Sequence, residues 1–205
     1  MEKKELPPKL VSNRYESIVE SKWTGPYGWP NFEIESNLCP IPRQPGVYLQ
    51  TVEYQSGYLI YAAGLTRRSI PKRFREHTYK YMNGDYNVLD IDAMQQGVRR
   101  EIWHGWGWTT EKQAEFKKQK SIIHKAVHEQ LVGFRIFVAN VGTKPRILER
   151  IEASIMNTLY QQPSPFCDIP DKGMMLAPRW NTESPILVKN KCAVMLYGLP
   201  LFLEI

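Results

Sequence analysis

Two tyrosines, an arginine, a histidine and a glutamate stand out from this chain by the elements they occupy. Tyr48 and Tyr61 fall in two short apolar runs, GVYLQTV and YLIYAAG, joined by the turn-forming EYQSG. Arg73 and His77 lie four apart within KRFREH, a spacing that puts both on one face of a helix. Glu152 sits in RIEASIM, on a segment where Ile147, Ile151, Ile155 and Leu159 form a stripe at i, i+4 spacing. A tyrosine hydroxyl can orient a water or, with a lowered pKa, take its proton. An arginine fork grips nonbridging phosphate oxygens. A carboxylate on a rigid helix suits a hard divalent cation, and Mg²⁺ needs only one or two of them because it keeps several waters. Hydrolysis of a phosphodiester asks for these parts: a placed water, charge neutralisation at phosphorus, and help for the leaving oxygen.

The elements that must carry these residues follow from pattern. VYLQTV and YLIYAA read as a hairpin of two strands. Ser69 is a candidate N-cap and Pro71 suits the first turn of the helix that continues through KRFREHTYKYM. NGDY at 83–86 stops it. Residues 83–132 form an insertion, with a helix predicted near 90–101, an aromatic turn at WHGWGW and a long helix from about Glu111 to Leu131. GFRIFVANV alternates as a third strand, with Ile136 and Val138 on one face and Phe137 and Ala139 on the other. The striped segment Lys144–Tyr160 is a helix. Residues 1–45 read as an arm: seven prolines interrupt regular structure, and one short helix is predicted over 10–22. Beyond Pro163 the chain is irregular, with a strand-like ILV at 186–188 and an apolar end.

Size and composition narrow the class. At 205 residues with 42% hydrophobic and 23% charged side chains, the chain is long enough for one domain with a real core, and too aromatic for disorder. A formal net charge of +6 suits a polyanionic partner. Cys39, Cys167 and Cys192 are too scattered for a disulfide framework or a zinc knuckle, and a reduced cytoplasmic protein is expected. No stretch reaches a membrane-spanning length and the N-terminus has no apolar signal core.

The order hairpin, helix, insertion, strand, helix resembles that of the GIY-YIG nuclease superfamily, over roughly Gly46–His77 and Phe134–Tyr160. Gly46-Val47-Tyr48 is similar to the GIY element and Tyr61-Ala62-Ala63-Gly64 to a loosened YIG element. Arg73 with His77 resembles the arginine and following histidine of the first helix, and Glu152 the single metal-binding glutamate of the last core helix. The resemblance implies an α/β (α+β) fold built on a small three-stranded antiparallel sheet flanked by helices, with a helical insertion and irregular terminal extensions. It implies a one-metal mechanism using Mg²⁺ or Mn²⁺, with Tyr48, Tyr61, Arg73, His77 and Glu152 as catalytic residues and Glu152 as metal ligand. The family has one residue between tyrosine and glycine; here there are two. Either a bulge before Gly64 turns Tyr61 back to the face of Tyr48, or Ala62 takes the family position and Tyr61 joins the core.

Several further residues carry weaker expectations. Arg67, Arg68, Lys72, Arg75, Arg99 and Arg100 flank the site in sequence and are candidates for phosphate contacts on double-stranded DNA, with Asn181 standing in for a family asparagine. Glu149 is the fallback metal ligand. His124 and His128 have metal-ligand spacing but lack a third ligand, and read as surface residues. WHGWGW reads as packing of the insertion against the core or as a base-stacking element. A compact chain with its own insertion and no appended zinc finger or helicase resembles a type II restriction enzyme, in which a homodimer would match a palindromic site. Three other readings fit the same residues: a monomeric nicking nuclease, a catalytically inactive nucleic-acid-binding module, and a basic α/β protein unrelated to nucleases.

Overall fold

The computed structural model describes residues 14–105, 107 and 109–205. Residues 10–13 of the predicted N-terminal helix, and Trp106 and Trp108 of the aromatic turn, lie outside the described residues. The hairpin predicted from GVYLQTV and YLIYAAG forms as β2 (Gly46–Tyr54) and β3 (Gly57–Thr66), and GFRIFVANV supplies β6 (Arg135–Ala139). These three strands pair antiparallel in the order β3-β2-β6.

That trio is the middle of a larger sheet, and here the structure corrects the expectation of a small three-stranded one. β1 (Ser17–Tyr27) pairs antiparallel with β6 and parallel with β7 (Ile186–Lys191), while β9 (Phe202–Glu204) adds antiparallel to β7. β8 (Leu196–Tyr197) pairs with the start of β3, giving a seven-stranded mixed sheet in the order β8-β3-β2-β6-β1-β7-β9. The predicted helix over 10–22 gives way to β1 because SIVESKW alternates, with Ser21 and Trp23 buried and Glu20, Lys22 and Thr24 exposed. Its partners lie more than 100 residues away: Trp23 opposite Ala139, Ser17 opposite Ile186.

Helices cover both faces. Tyr48, Val52, Tyr61, Ile136 and Val138 point to one face, where α2 (Ile70–Met82) and α4 (Thr110–Gly133) pack with Phe74, Tyr81, Ile123 and Leu131. Val47, Leu49, Ile60, Phe137 and Ala139 point to the other, against Leu148, Ile151, Ile155 and Leu159 of α5 (Pro145–Gln161). The predicted alternation in β6 therefore separates Ile136 and Val138 from Phe137 and Ala139 onto opposite cores. Within the insertion, the helix expected near 90–101 is only α3 (Ile91–Gln95), capped by the Asp90 side chain and followed by Gly97 at positive φ. The residues after it form β5 (Glu101–Trp103), paired with β4 (Val88–Leu89). A short α1 (Glu33–Ser36) follows β1. No helix among the described residues is long and apolar enough to cross a membrane.

Candidate active site

Two glycines allow the hairpin to carry its tyrosines. Gly46 opens β2 at φ +141°, and a Cβ there would run into the Ala139 carbonyl of β6, so a side chain is excluded twice over. Gly64 lies directly across from Tyr48, and a Cβ there would overlap the phenol ring and its hydroxyl. A glycine at 64 is therefore the space into which Tyr48 fits.

Between them the register shifts: Gln50 pairs with Ala62, but Thr51 pairs with Ile60. Tyr61 is the extra residue of a β-bulge. Tyr61 and Ala62 consequently both face the core that holds Tyr48, while Ile60 and Ala63 face the opposite one. The two-alanine step thus leaves both tyrosines on the same side of the sheet.

α2 crosses that side, with Pro71 in its first turn and Phe74 packed edge-on against Tyr48 at a centroid distance of 4.8 Å. One turn along, His77 Nε2 lies 2.8 Å from the Tyr48 hydroxyl, and its Nδ1 lies 3.2 Å from the Tyr86 hydroxyl. Glu152 comes from α5, which covers the other face, so its arrival needs an explanation. β8 protects only Tyr58 and Leu59, leaving the rest of β3 as an open edge. α5 runs along that edge and satisfies its outward amides: Ala63 N–H donates to Met156 Sδ at 3.1 Å, and the Leu65 backbone hydrogen-bonds Glu152, one helical turn earlier. The carboxyl is carried around the edge of the sheet to the tyrosine side. Tyr48, Tyr61, Arg73, His77 and Glu152 then line one pocket of about 140 Å³, together with Gln50, Gly64, Tyr81, Tyr86 and Asp171.

Burial sets the protonation of this pocket. The Tyr48 hydroxyl is held above its ordinary pKa by burial, with the neighbouring Arg73 guanidinium pulling the other way. Burial likewise pushes the Tyr61 hydroxyl well above its ordinary value, with Tyr81 and Asp171 adding to it. His77 is pushed down to about 3, chiefly by burial and then by Arg73, so its ring is neutral at pH 7. Glu152 is pushed up to about 7 by burial and by Glu149, against the pull of Arg73 and the Leu65 hydrogen bond. Arg73 can only donate, and it flanks the Tyr48 oxygen; the Tyr48 O–H is then free to donate to Nε2, leaving Nδ1–H to donate to Tyr86.

The sequence reading missed the groups behind Tyr61. Its hydroxyl donates to Asp171 Oδ2 at 2.6 Å, while Asp171 Oδ1 accepts from Asn87 Nδ2 at 2.8 Å and from Arg99 at 2.6 Å. Tyr160 donates to the Asp171 carbonyl at 2.7 Å. Asp171 lies in the stretch after Pro163 that carries no regular pattern, and its contacts span 84 and 110 residues, so no local signal marks it. Gln50 did have a signal: it follows Tyr48 by two on a strand and shares its face.

The residues expected to contact phosphates divide. Arg99 is committed to the junction, donating to Asp171, to Glu101 and to the Ile169 carbonyl. Arg100 pairs with Asp90 and Arg68 with Glu76. Arg67, Lys72 and Arg75 are exposed, and Lys72 and Arg75 line a groove on α2 that meets the pocket at Arg73 and Tyr86. Asn181 is exposed in a turn closed by Glu183 N–H to the Trp180 carbonyl and does not line the pocket. Glu149 pairs with Arg146. His124 and His128 point apart, to the Met82 carbonyl and to Glu35. No protein-family model, curated protein or solved structure matches this chain.

Proposed function

We propose that this chain is a metal-dependent DNA endonuclease using GIY-YIG-type chemistry, with a sequence-specific type II restriction enzyme as the form that best suits its insertion and extension. The observation that carries the reading is convergence. Five side chains picked out in the sequence by the family resemblance, from two strands and two helices on opposite faces of a sheet, line one small pocket. A basic groove on α2 adjoins it, suited to a phosphate backbone.

The donor set fits a divalent cation of the Mg²⁺ or Mn²⁺ type. Glu152 is a hard oxygen ligand whose burial keeps its proton on up to about pH 7, and a cation is the partner that would restore its charge. Of the two carboxyl groups that line the pocket, Asp171 is engaged by Tyr61, Asn87 and Arg99, so Glu152 would hold the cation, which needs only one or two protein carboxylates. The cation would supply charge stabilisation at the phosphate.

The chain's own residues divide the other tasks. Arg73 presents its guanidinium to the nonbridging oxygens. Tyr48 orients the attacking water, whose oxygen forms the new bond to phosphorus as the ester bond breaks. One water proton passes to the Tyr48 oxygen as Tyr48 gives its own to His77 Nε2 and His77 passes its Nδ1 proton to Tyr86, so the buried ring stays neutral and the proton leaves through the Tyr86 hydroxyl. Tyr61, its proton committed to Asp171, offers a second oxygen to the same space. A monomeric nicking nuclease uses the same chemistry and differs only in assembly.

The test is incubation of purified protein with supercoiled plasmid and Mg²⁺ or Mn²⁺, beside the variant Glu152→Ala. Discrete double-strand fragments support the restriction enzyme, and nicked circles support the monomeric nicking form. Retention of DNA without cleavage under either metal overturns the enzyme reading and leaves a binding module.

A further inference from the structure

We propose that Gln50 is a further catalytic residue of this site, its side-chain oxygen accepting the hydrogen of the attacking water that Tyr48 does not take. The inference rests on the nuclease reading and goes beyond it, since the resemblance gives Gln50 no role.

Gln50 follows Tyr48 by two residues on β2 and so shares its face. It lines the same pocket, is only 6% exposed, and its Oε1 has no hydrogen-bond partner among the described residues. A buried carbonyl left unpaired is destabilising, and folded proteins rarely tolerate one without a use for it. Among the described residues three other buried side-chain atoms also lack partners, but Gln130 and Arg150 bond through their remaining atoms, and Ser21 lies on β1 outside the pocket.

The surroundings say what Gln50 waits for. Across the hairpin it faces Ala62, whose small side chain leaves the amide room. The terminal torsion of glutamine is broad, so the amide turns easily toward an arriving ligand. Tyr61 donates to Asp171 and Tyr48 is held by His77, so neither of these two hydroxyls spends its hydrogen on Gln50. An acceptor beside two phenol oxygens with committed protons is matched by a ligand with two hydrogens to donate. In phosphodiester hydrolysis that ligand is water, because the phosphate oxygens carry no hydrogen. One hydrogen goes toward Tyr48 and leaves as the new P–O bond forms. The other stays on the water oxygen and is held by Gln50, which takes no proton itself. Two fixed hydrogens aim the lone pair at phosphorus.

Gln50→Met is the test, because methionine matches glutamine in length and flexibility without the amide. Plasmid cleavage rate, KM for DNA and Tm are measured for both proteins. The expected result is a kcat reduced by about ten- to a hundredfold, an unchanged KM, and a Tm raised by about 2–4 °C through loss of an unpaired buried acceptor. A role in packing alone predicts the reverse sign, a lower Tm with kcat preserved, and that result overturns the proposal. A raised KM with unchanged kcat also overturns it and assigns the amide to phosphate binding. If the unmodified protein cleaves and Gln50→Met cleaves equally fast, the role of Gln50 fails while the nuclease reading stands. If the unmodified protein cleaves nothing, both fail.

Discussion

Glu152 is the residue on which chemistry and stability pull in opposite directions. Its folded pKa of about 7 stands above the ordinary 4.5, so in the cation-free protein the neutral carboxyl is the comfortable form. Its contribution to stability is complete below pH 4.5 and is lost as pH rises through 7, amounting at most to about 3 kcal/mol. A cation binds the ionised form and competes with the proton. Cleavage should therefore show an acid limb inflecting near pH 7 at low Mg²⁺, moving to lower pH as Mg²⁺ rises. Glu149→Gln should shift it the same way, because Glu149 helps to raise the Glu152 pKa. Rate–pH profiles at several Mg²⁺ concentrations check this, and an inflection indifferent to both changes would contradict it. At this scale residue type was legible in the sequence, whereas protonation was not, since burial from distant elements sets it.

The elements explain how such separate residues meet. The bulge at Tyr61 undoes the effect of the second alanine, and an open β3 edge draws α5 close enough to deliver Glu152. Local pattern revealed the hairpin, α2, β6 and α5, because each repeats with its own period. It could not reveal the junction where Asp171 ties Tyr61, Asn87 and Arg99 together, since those contacts join the hairpin, insertion and C-terminal segment. Arg99 and Asp171 are both largely buried, with side-chain exposures of 21% and 12%. Removing one partner leaves the other charge poorly solvated. Arg99→Ala should thus destabilise the fold by about 2–4 kcal/mol in urea unfolding, and the double variant Arg99→Met, Asp171→Asn should recover part of that loss. A loss within about 0.5 kcal/mol, the range of an ordinary surface change, would show that the junction contributes little.

At the scale of the molecule, a seven-stranded sheet replaces the expected three-stranded one. Its extra strands come from the ends of the chain, where proline-rich and irregular composition hides pairings over more than 100 residues. Charge reads more easily than topology. The chain carries net +6, and the groove beside the pocket includes Lys72 and Arg75, with Arg67 exposed before the same helix. Replacing all three by alanine should weaken DNA binding uniformly across sequences and lower the slope of log K against log salt by about 2–3. Fluorescence anisotropy across a salt series measures that slope. An unchanged slope would place the DNA backbone on another face. The central claim is tested most directly by plasmid cleavage with Mg²⁺, comparing the unmodified protein with Glu152→Ala, with DNA binding measured alongside. The account predicts that the substitution abolishes cleavage, by about 1,000-fold or more, while DNA is still bound. Cleavage by Glu152→Ala at the unmodified rate would contradict it.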